Sequence, residues 1–117
     1  MEFNYQLKEK DGHVIILLTG NLMEKNQAAG LMSEVHQLTE SGKRHFIVNF
    51  KDFKYMNSTG LSVLLNILTN ARKAGGDTVI CCIPEKVKSL LSVTRLTDIF
   101  TVTDSEENAV AALTQGA

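Results

Sequence analysis

Residues 46–68 read FIVNFKDFKYMNSTGLSVLLNIL, which has the pattern of a buried strand followed by an amphipathic helix. The strand is predicted over residues 46–50, which are almost all apolar, as is typical of a strand covered on both faces. After an expected loop over residues 51–57, apolar residues recur at intervals of three and four. This spacing predicts a helix that begins near Ser58. A strand that leads into such a helix is the building unit of an α/β sheet.

Similar units extend from this stretch toward both ends of the chain. Toward the amino terminus, the predicted elements are a strand at residues 3–7, an Asp11-Gly12 turn, a strand at residues 13–19 ended by Gly20 and a helix at residues 24–39. The helix that begins near Ser58 is predicted to end at Gly75-Gly76. Toward the carboxyl terminus, the predicted elements are a strand at residues 78–83, a short helix after Pro84, a weak strand at residues 99–102 and a last helix capped by Ser105. The order is therefore β-β-α-β-α-β-α-β-α. We expect an α/β fold with a mixed, mostly parallel sheet and four helices, in which the first strand is an antiparallel edge strand.

The composition is that of an ordinary globular protein. The chain has 117 residues, 44% of them hydrophobic, which suits a single domain over residues 1–117. The formal net charge is −1, so no excess of positive charge is present to attract nucleic acid or an anionic membrane surface. The longest apolar run, residues 14–18, is too short to span a membrane, and the amino terminus has no apolar signal region. We therefore expect a cytoplasmic protein that is monomeric when free.

Catalytic, metal-binding and cofactor-binding motifs are not recognisable in the sequence. The three histidines, His13, His36 and His45, show no metal-binding spacing, and glycine-rich phosphate loops do not occur. Cys81 and Cys82 are adjacent in an apolar run, so we expect them on opposite faces of a strand as buried structural thiols. The prediction is a protein without cofactor, metal or catalytic activity of its own.

The start of the helix near Ser58 is the main candidate site, because sites in largely parallel sheets lie at the carboxyl ends of the strands. The residues there are Asn57-Ser58-Thr59-Gly60. One interpretation is a helix cap, in which Asn57 or Ser58 accepts a hydrogen bond from a first-turn amide. The other is a phosphoryl site, because the amides and the positive dipole end of a helix stabilise the charge of a phosphorylated serine. The two interpretations are compatible.

The same residues resemble the regulatory motif of the STAS domain family, in particular of the bacterial anti-sigma-factor antagonists. That motif is Asp-Ser-(Ser or Thr)-Gly-Leu after an apolar strand, and residues 57–61, Asn-Ser-Thr-Gly-Leu, match it at every position but the first. Further agreement, in the same order and at matching spacing, comes from Thr19-Gly20-Asn21-Leu22, Gly75-Gly76, Val79-Ile80-Cys81, Val87-Lys88-Ser89-Leu90-Leu91 and residues 96–100. The resemblance spans nearly the whole chain and implies a single STAS domain.

The resemblance also implies a function. An antagonist of this family binds an anti-sigma factor that is a serine kinase and so releases a sigma factor. Phosphorylation ends the binding, and a serine phosphatase restores it. For this chain the resemblance implies Ser58 as the phosphoacceptor, Thr59 as the less favoured acceptor, and Gly60 as a position where the backbone of a partner approaches closely. A STAS module that binds a nucleotide, or that serves as a subunit of a stress assembly without phosphorylation, is the alternative.

Residues around the motif form the expected partner-binding face, which includes the loops at residues 21–25 and 51–56. The expected contact residues are Asn21, Met23, Met56, Asn57, Ser58, Thr59, Gly60, Ser62 and Asn66. Two of them depart from the family pattern: Asn57 replaces the usual Asp before the phosphoacceptor, and Met23 stands where Asp commonly follows Gly-Glu-Leu. Both changes remove negative charge, which either eases acceptance of a phosphoryl group or prevents recognition by a kinase that requires the carboxylate.

Overall fold

The structure, a computed structural model, describes residues 2–10 and 12–115. Its elements are β1 (Asn4–Lys10), β2 (His13–Leu22), a 3-10 turn (Lys25–Ala28), α1 (Ala29–Glu40), β3 (His45–Met56), α2 (Ser58–Lys73), β4 (Asp77–Cys81), α3 (Glu85–Val93), a 3-10 turn (Leu96–Asp98), β5 (Thr101–Thr103) and α4 (Glu106–Gln115). The predicted order of strands and helices is confirmed. Of the predicted Asp11-Gly12 turn, Asp11 lies outside the described residues, and Gly12 has a φ of +82°.

The five strands form one sheet in the order β1-β2-β3-β4-β5. β1 pairs with β2 in the antiparallel sense, and the other three pairings are parallel. The expected mixed, mostly parallel sheet with an antiparallel edge strand is therefore confirmed. Because β2, β3 and β4 run parallel, the ends of β2 and β3 meet at one edge of the sheet, where α2 begins.

Helices cover both faces of the sheet, and each face has its own apolar core. Phe46, Val48 and Phe50 of β3 point into the larger core, with side chains of α1, α2 and α3. Ile47 points the other way, into a smaller core that α4 closes with Ala109 and other residues. This explains why residues 46–50 are apolar without alternation, since both faces of the central strand are buried. None of the helices in the described part of the chain is long and apolar enough to cross a membrane.

The structure corrects the expected loop over residues 51–57, because β3 continues to Met56. Two irregularities in the β2–β3 pairing each add one residue to β3, so that Leu17 pairs with Asn49 while Leu22 pairs with Met56. As a result, Phe53 and Met56 are buried three residues apart instead of two. Because this spacing does not alternate with a period of two, the sequence pattern does not predict a strand here.

The structure also corrects the end of β2, which continues past Gly20 to Leu22. Gly20 has a φ of +77° and lies within the irregular part of the pairing. A Cβ atom at this position would lie 2.0 Å from the carbonyl oxygen of Glu2. The glycine therefore permits a close approach of two backbone segments inside the strand, and it does not mark the end of the strand.

The predicted orientation of the two cysteines is wrong. β4 ends at Cys81, and Cys82 has a φ of +59°, outside the extended region. This turn brings Cys82 against the same apolar cluster as Cys81, on the α4 side of the sheet. Cys81 is buried, as predicted, but Cys82 is half-buried. Burial, reinforced by the neighbouring Cys82, raises the pKa of the Cys81 thiol to about 12.

The last strand is also shorter and later than predicted. β5 comprises only Thr101–Thr103, and the 3-10 turn Leu96–Asp98 precedes it. Phe100 is buried, but its amide donates to the carbonyl of Leu96, so it lies in the turn region before β5 and not in the strand. An apolar residue in a tight turn and one in a short strand have similar local patterns, and hydrogen bonding distinguishes them.

Candidate functional site

The candidate site lies where the carboxyl ends of β2 and β3 meet the start of α2. Ser58 is the first residue of α2 and is exposed. Asn21 pairs with Tyr55 and Leu22 with Met56, so the segment that follows β2 lies beside the first turn of α2. The structure therefore brings together the two parts of the chain that the sequence assigned to the partner-binding face.

Asn57, and not Ser58, caps α2. The Oδ1 atom of Asn57 accepts hydrogen bonds from the amides of Thr59 at 3.0 Å and Gly60 at 3.4 Å. Its backbone carbonyl accepts the amide of Leu61 at 3.2 Å, which begins the ladder of the helix. A side-chain cap of this kind stabilises a helix by about 1 kcal/mol. Of the two capping residues that the sequence left open, the structure selects Asn57, and the Ser58 hydroxyl has no part in the cap.

Asn57 also binds the segment after β2. Its Nδ2 group donates to the carbonyl oxygen of Met23 at 3.0 Å, and its amide donates to the carbonyl of Leu22 at 3.4 Å. The Oε1 atom of Gln27 accepts the amides of Met23 and Glu24, both at 2.9 Å. The turn after β2 is therefore held from two sides, by Asn57 and by Gln27.

Sequence reasoning missed Gln27. The signal that would have found it is the spacing of Glu24 and Gln27, which is that of a capping box, with the side chain of the third turn residue bonded back to the amide of the capping residue. Thr, Ser or Asp is more usual at the first position. For this reason the pattern is easily overlooked.

The structure corrects the expected roles of Gly60 and Met56. Gly60 is buried, and a Cβ atom there would lie 2.5 Å from the Cβ atom of Met56. The side chain of Met56 is fully buried in the larger core. Gly60 therefore makes room for Met56 inside the protein, not for the backbone of a partner. Neither Gly60 nor the side chain of Met56 is exposed, so neither lies on the partner-binding face.

The remaining expected contact residues are accessible. Ser58, Ser62 and Asn66 are exposed at intervals of four, along one face of α2. The hydroxyl of Ser62 donates to the carbonyl of Ser58 at 3.3 Å. Asn21, Asn57 and Thr59 are half-buried, and the side chains of Met23 and Tyr55 are 42% and 37% exposed. The side chains of this set are uncharged, whereas the loops at residues 21–25 and 51–56 also carry Glu24, Lys25, Lys51, Asp52 and Lys54.

A separate groove of about 500 Å³ lies on the α4 side of the sheet, between β1, β3 and the start of α4. Its charged residues are Lys8, Lys10, Lys51, Asp52, Glu106 and Glu107. Glu106 is already bound, by Lys8 at 3.6 Å and by the side-chain amide of Asn49. Because the groove contains three groups of each sign, its charge favours neither an anion nor a cation. The nucleotide-binding alternative stays a prediction.

Within residues 2–10 and 12–115, no cluster of three or more His, Cys, Asp or Glu side chains is arranged to hold a metal ion. The chemistry available around Ser58 is that of a hydroxyl, amide groups and apolar side chains.

Comparison with known proteins finds similarity to anti-sigma factor antagonists over most of the chain. The profile described as the STAS domain matches residues 4–109. The "Putative anti-sigma factor antagonist BtrV" of Bordetella bronchiseptica is 29% identical over 102 residues, 87% of each chain. The anti-sigma F factor antagonist of Paenibacillus polymyxa is 25% identical over 113 residues, 97% of each chain. The crystal structure of a Thermotoga maritima protein described as a "putative anti-sigma factor antagonist" has a TM-score of 0.85, with 25% identity and 93% coverage of each chain.

Proposed function

This chain belongs to the STAS domain family, and we propose that it acts as an anti-sigma-factor antagonist. In this proposal it binds an anti-sigma factor that is a serine kinase, in the cytoplasm, and so releases a sigma factor. Phosphorylation of Ser58 ends the binding, and a serine phosphatase restores it. The observation that carries the proposal is the exposed hydroxyl of Ser58 at the first residue of α2, inside the motif of residues 57–61.

The position of Ser58 suits a phosphoacceptor. Its hydroxyl is exposed and takes no part in the helix cap, because Asn57 provides the cap. A phosphoryl group at this position would carry a charge of about −1.5 to −2 beside the positive end of the α2 dipole. Thr59 is half-buried and therefore less accessible to a kinase. In the transfer, the Ser58 oxygen bonds to the γ-phosphorus of ATP held by the kinase, ADP leaves, and the hydroxyl proton passes to a base of the kinase.

Loss of binding needs no large rearrangement of this chain. The side chains next to Ser58 in this region, Asn57, Thr59 and Ser62, are uncharged, so a partner that packs against them would bury the added phosphoryl charge without a counter-charge from these residues. Desolvation of an unpaired charge costs several kcal/mol. This cost is more than about half of the binding free energy of a micromolar complex. The added charge itself is then sufficient to separate the two proteins.

Phosphorylation at Ser58 is tested by incubation of the protein with its anti-sigma-factor kinase and ATP, followed by mass spectrometry. We expect one phosphoryl group on the wild type and none on the Ser58→Ala variant, because only the Ser58 hydroxyl combines exposure with the motif position. The matched control is Thr59→Ala, which should be labelled as the wild type is. Labelling of Ser58→Ala that equals the wild type would place the acceptor elsewhere.

The effect of the charge is tested by measuring affinity for the same kinase in the absence of ATP. Ser58→Asp is expected to bind at least tenfold more weakly than the wild type, a difference of about 1.4 kcal/mol. Ser58→Asn should retain more of the affinity, because asparagine has nearly the same shape as aspartate but no charge. Equal binding by Ser58→Asp and Ser58→Asn would contradict an electrostatic switch.

The alternative of a ligand-binding or assembly module predicts different results. A nucleotide that raises the thermal midpoint of the protein, with no binding to any anti-sigma-factor kinase, would favour a ligand-binding module. A stable large oligomer of the pure protein in gel filtration would favour an assembly subunit, because the proposed antagonist is monomeric when free.

A further inference from the structure

The two positions at which the motif departs from the family pattern are in direct contact. The Nδ2 group of Asn57 donates to the carbonyl oxygen of Met23 at 3.0 Å, across 34 positions of the sequence. An Asp at position 57 has no N–H group in its side chain and cannot make this bond. The hydrogen bond from residue 57 to the carbonyl of Met23 therefore depends on the side-chain NH2 group of Asn57.

Met23, whose backbone carbonyl this contact holds, has an exposed apolar side chain. The side chain is 42% exposed, whereas its backbone is fixed on both sides: its carbonyl accepts from Asn57 and its amide donates to Gln27. Methionine is flexible and polarisable, and it is frequent at protein-binding surfaces. A fixed backbone reduces the entropy that is lost when such a side chain is buried by a partner.

The charge around Met23 indicates what kind of surface would cover it. Asn21, Asn57 and Ser58 are uncharged, and the adjacent Glu24 and Lys25 carry opposite charges. A charged group of a partner, basic or acidic, would meet one adjacent charge of each sign and would lose solvation without a net electrostatic gain. An uncharged, apolar surface would be favoured, because it buries the Met23 side chain.

Resting on the proposed function, we propose that Asn57 and Met23 form a coupled specificity pair: Met23 is an apolar contact of the partner-binding face, and Asn57 is the positioning residue that holds it. The pair selects an anti-sigma factor whose surface at this point is apolar and uncharged.

The positioning of Met23 can be tested on the free protein, without any partner. Asn57→Asp retains an oxygen that caps α2 but loses the donor to Met23, whereas Asn57→Ala loses both. We expect the methyl NMR signal of Met23 to shift in both variants, and the thermal midpoint to fall further in Asn57→Ala than in Asn57→Asp. The methyl signal of Met32, in α1, is the internal control and should not move. An unchanged Met23 signal in Asn57→Asp would overturn the positioning role.

The contact role of Met23 is tested by binding to the anti-sigma-factor kinase that the wild type binds. Met23→Asp is expected to lower the affinity at least tenfold, and Met23→Leu to lower it less than threefold, because leucine keeps the apolar contact. The control is Val93→Asp, which places the same charge on an apolar side chain that is 82% exposed at the end of α3. Equal affinities of Met23→Asp and Val93→Asp would overturn the contact role.

The two parts of the test separate this inference from the proposed function. If the wild type binds no anti-sigma-factor kinase, the proposed function fails and the specificity pair fails with it, whatever the NMR signals show. If the wild type binds and the Met23 variants bind equally well, the proposed function stands and the specificity pair alone is wrong. Binding that is lost in Met23→Asp and retained in Met23→Leu supports both.

Discussion

Gly60 shows how a single residue of the motif serves packing. A Cβ atom at this position would lie 2.5 Å from the Cβ atom of Met56, which is attached to the backbone and cannot rotate away. Alanine is favoured over glycine in a helix by about 1 kcal/mol, but overpacking of a core commonly costs about 1–3 kcal/mol. The clash should therefore outweigh the gain in helix propensity.

We predict that Gly60→Ala lowers the free energy of unfolding by up to about 2 kcal/mol, the difference between these two effects. The measurement is urea denaturation of the variant and of the wild type. Ser62→Ala, on the exposed face of the same helix, is the control and should change the free energy by less than about 0.5 kcal/mol. A more stable Gly60→Ala variant would show that Met56 moves away at little cost.

At the scale of the elements, the extension of β3 is the feature that builds the site. Residues 51–56 pair with the end of β2, and Phe53 is buried among aromatic rings. Its centroid lies 5.4 Å from that of Phe50 and 6.4 Å from that of Phe3, both in edge-on geometry. Because Phe53 is packed against these rings, we expect it to contribute to stability as a core residue does.

We predict that Phe53→Ala lowers the free energy of unfolding by about 3–5 kcal/mol, as is typical for a buried phenylalanine. Lys54→Ala, the exposed neighbour in the same strand, should change it by less than about 0.5 kcal/mol. Both values come from denaturant titration followed by circular dichroism. Similar small effects for the two variants would mean that Phe53 is not packed in the core.

At the scale of the whole molecule, the end of the sheet opposite Ser58 contains a pair of histidines. The rings of His13 and His45, the first residues of β2 and β3, lie 5.9 Å apart. The Nδ1 atom of His45 is buried and has no hydrogen-bond partner among the residues that the structure describes. Burial lowers the pKa of His45, the charges of Arg44 and His13 lower it further, and Asp77 partly opposes them.

This pKa shift predicts a loss of stability in acid. The folded state binds a proton at His45 less readily than the unfolded state, whose histidine pKa is about 6.5. The contribution of His45 to stability is therefore full above about pH 6.5 and falls as the pH drops toward the lower pKa of the folded state. Urea unfolding from pH 7.5 to 5 should show a smaller loss for His45→Gln than for the wild type. His36→Gln, at an exposed histidine, is the control and should behave as the wild type does; equal losses for all three proteins would contradict the prediction.

Much of the architecture could be predicted because its signals are local. The helix at Ser58 is visible in the spacing of its apolar residues, and the double burial of β3 is visible in the nearly continuous apolar run at residues 46–50. The extension of β3 to Met56 could not be predicted in this way, because two extra residues in the pairing with β2 change the spacing of the buried side chains. Likewise, neighbouring side chains alternate between the two faces of a sheet only where the backbone is extended. Because Cys82 has a positive φ, both thiols lie on one face.

The candidate site divides in the same manner. The sequence by itself determined the order of the elements and the position of Ser58 at the start of a helix, since both depend on the periodicity and capping of neighbouring residues. Only the tertiary structure decided that Asn57 is the cap, that Gly60 faces Met56, and that Asn57 holds the backbone carbonyl of Met23. Of these, the contact with Met23 joins residues far apart in the chain, and the register of β2 against β3 sets their distance.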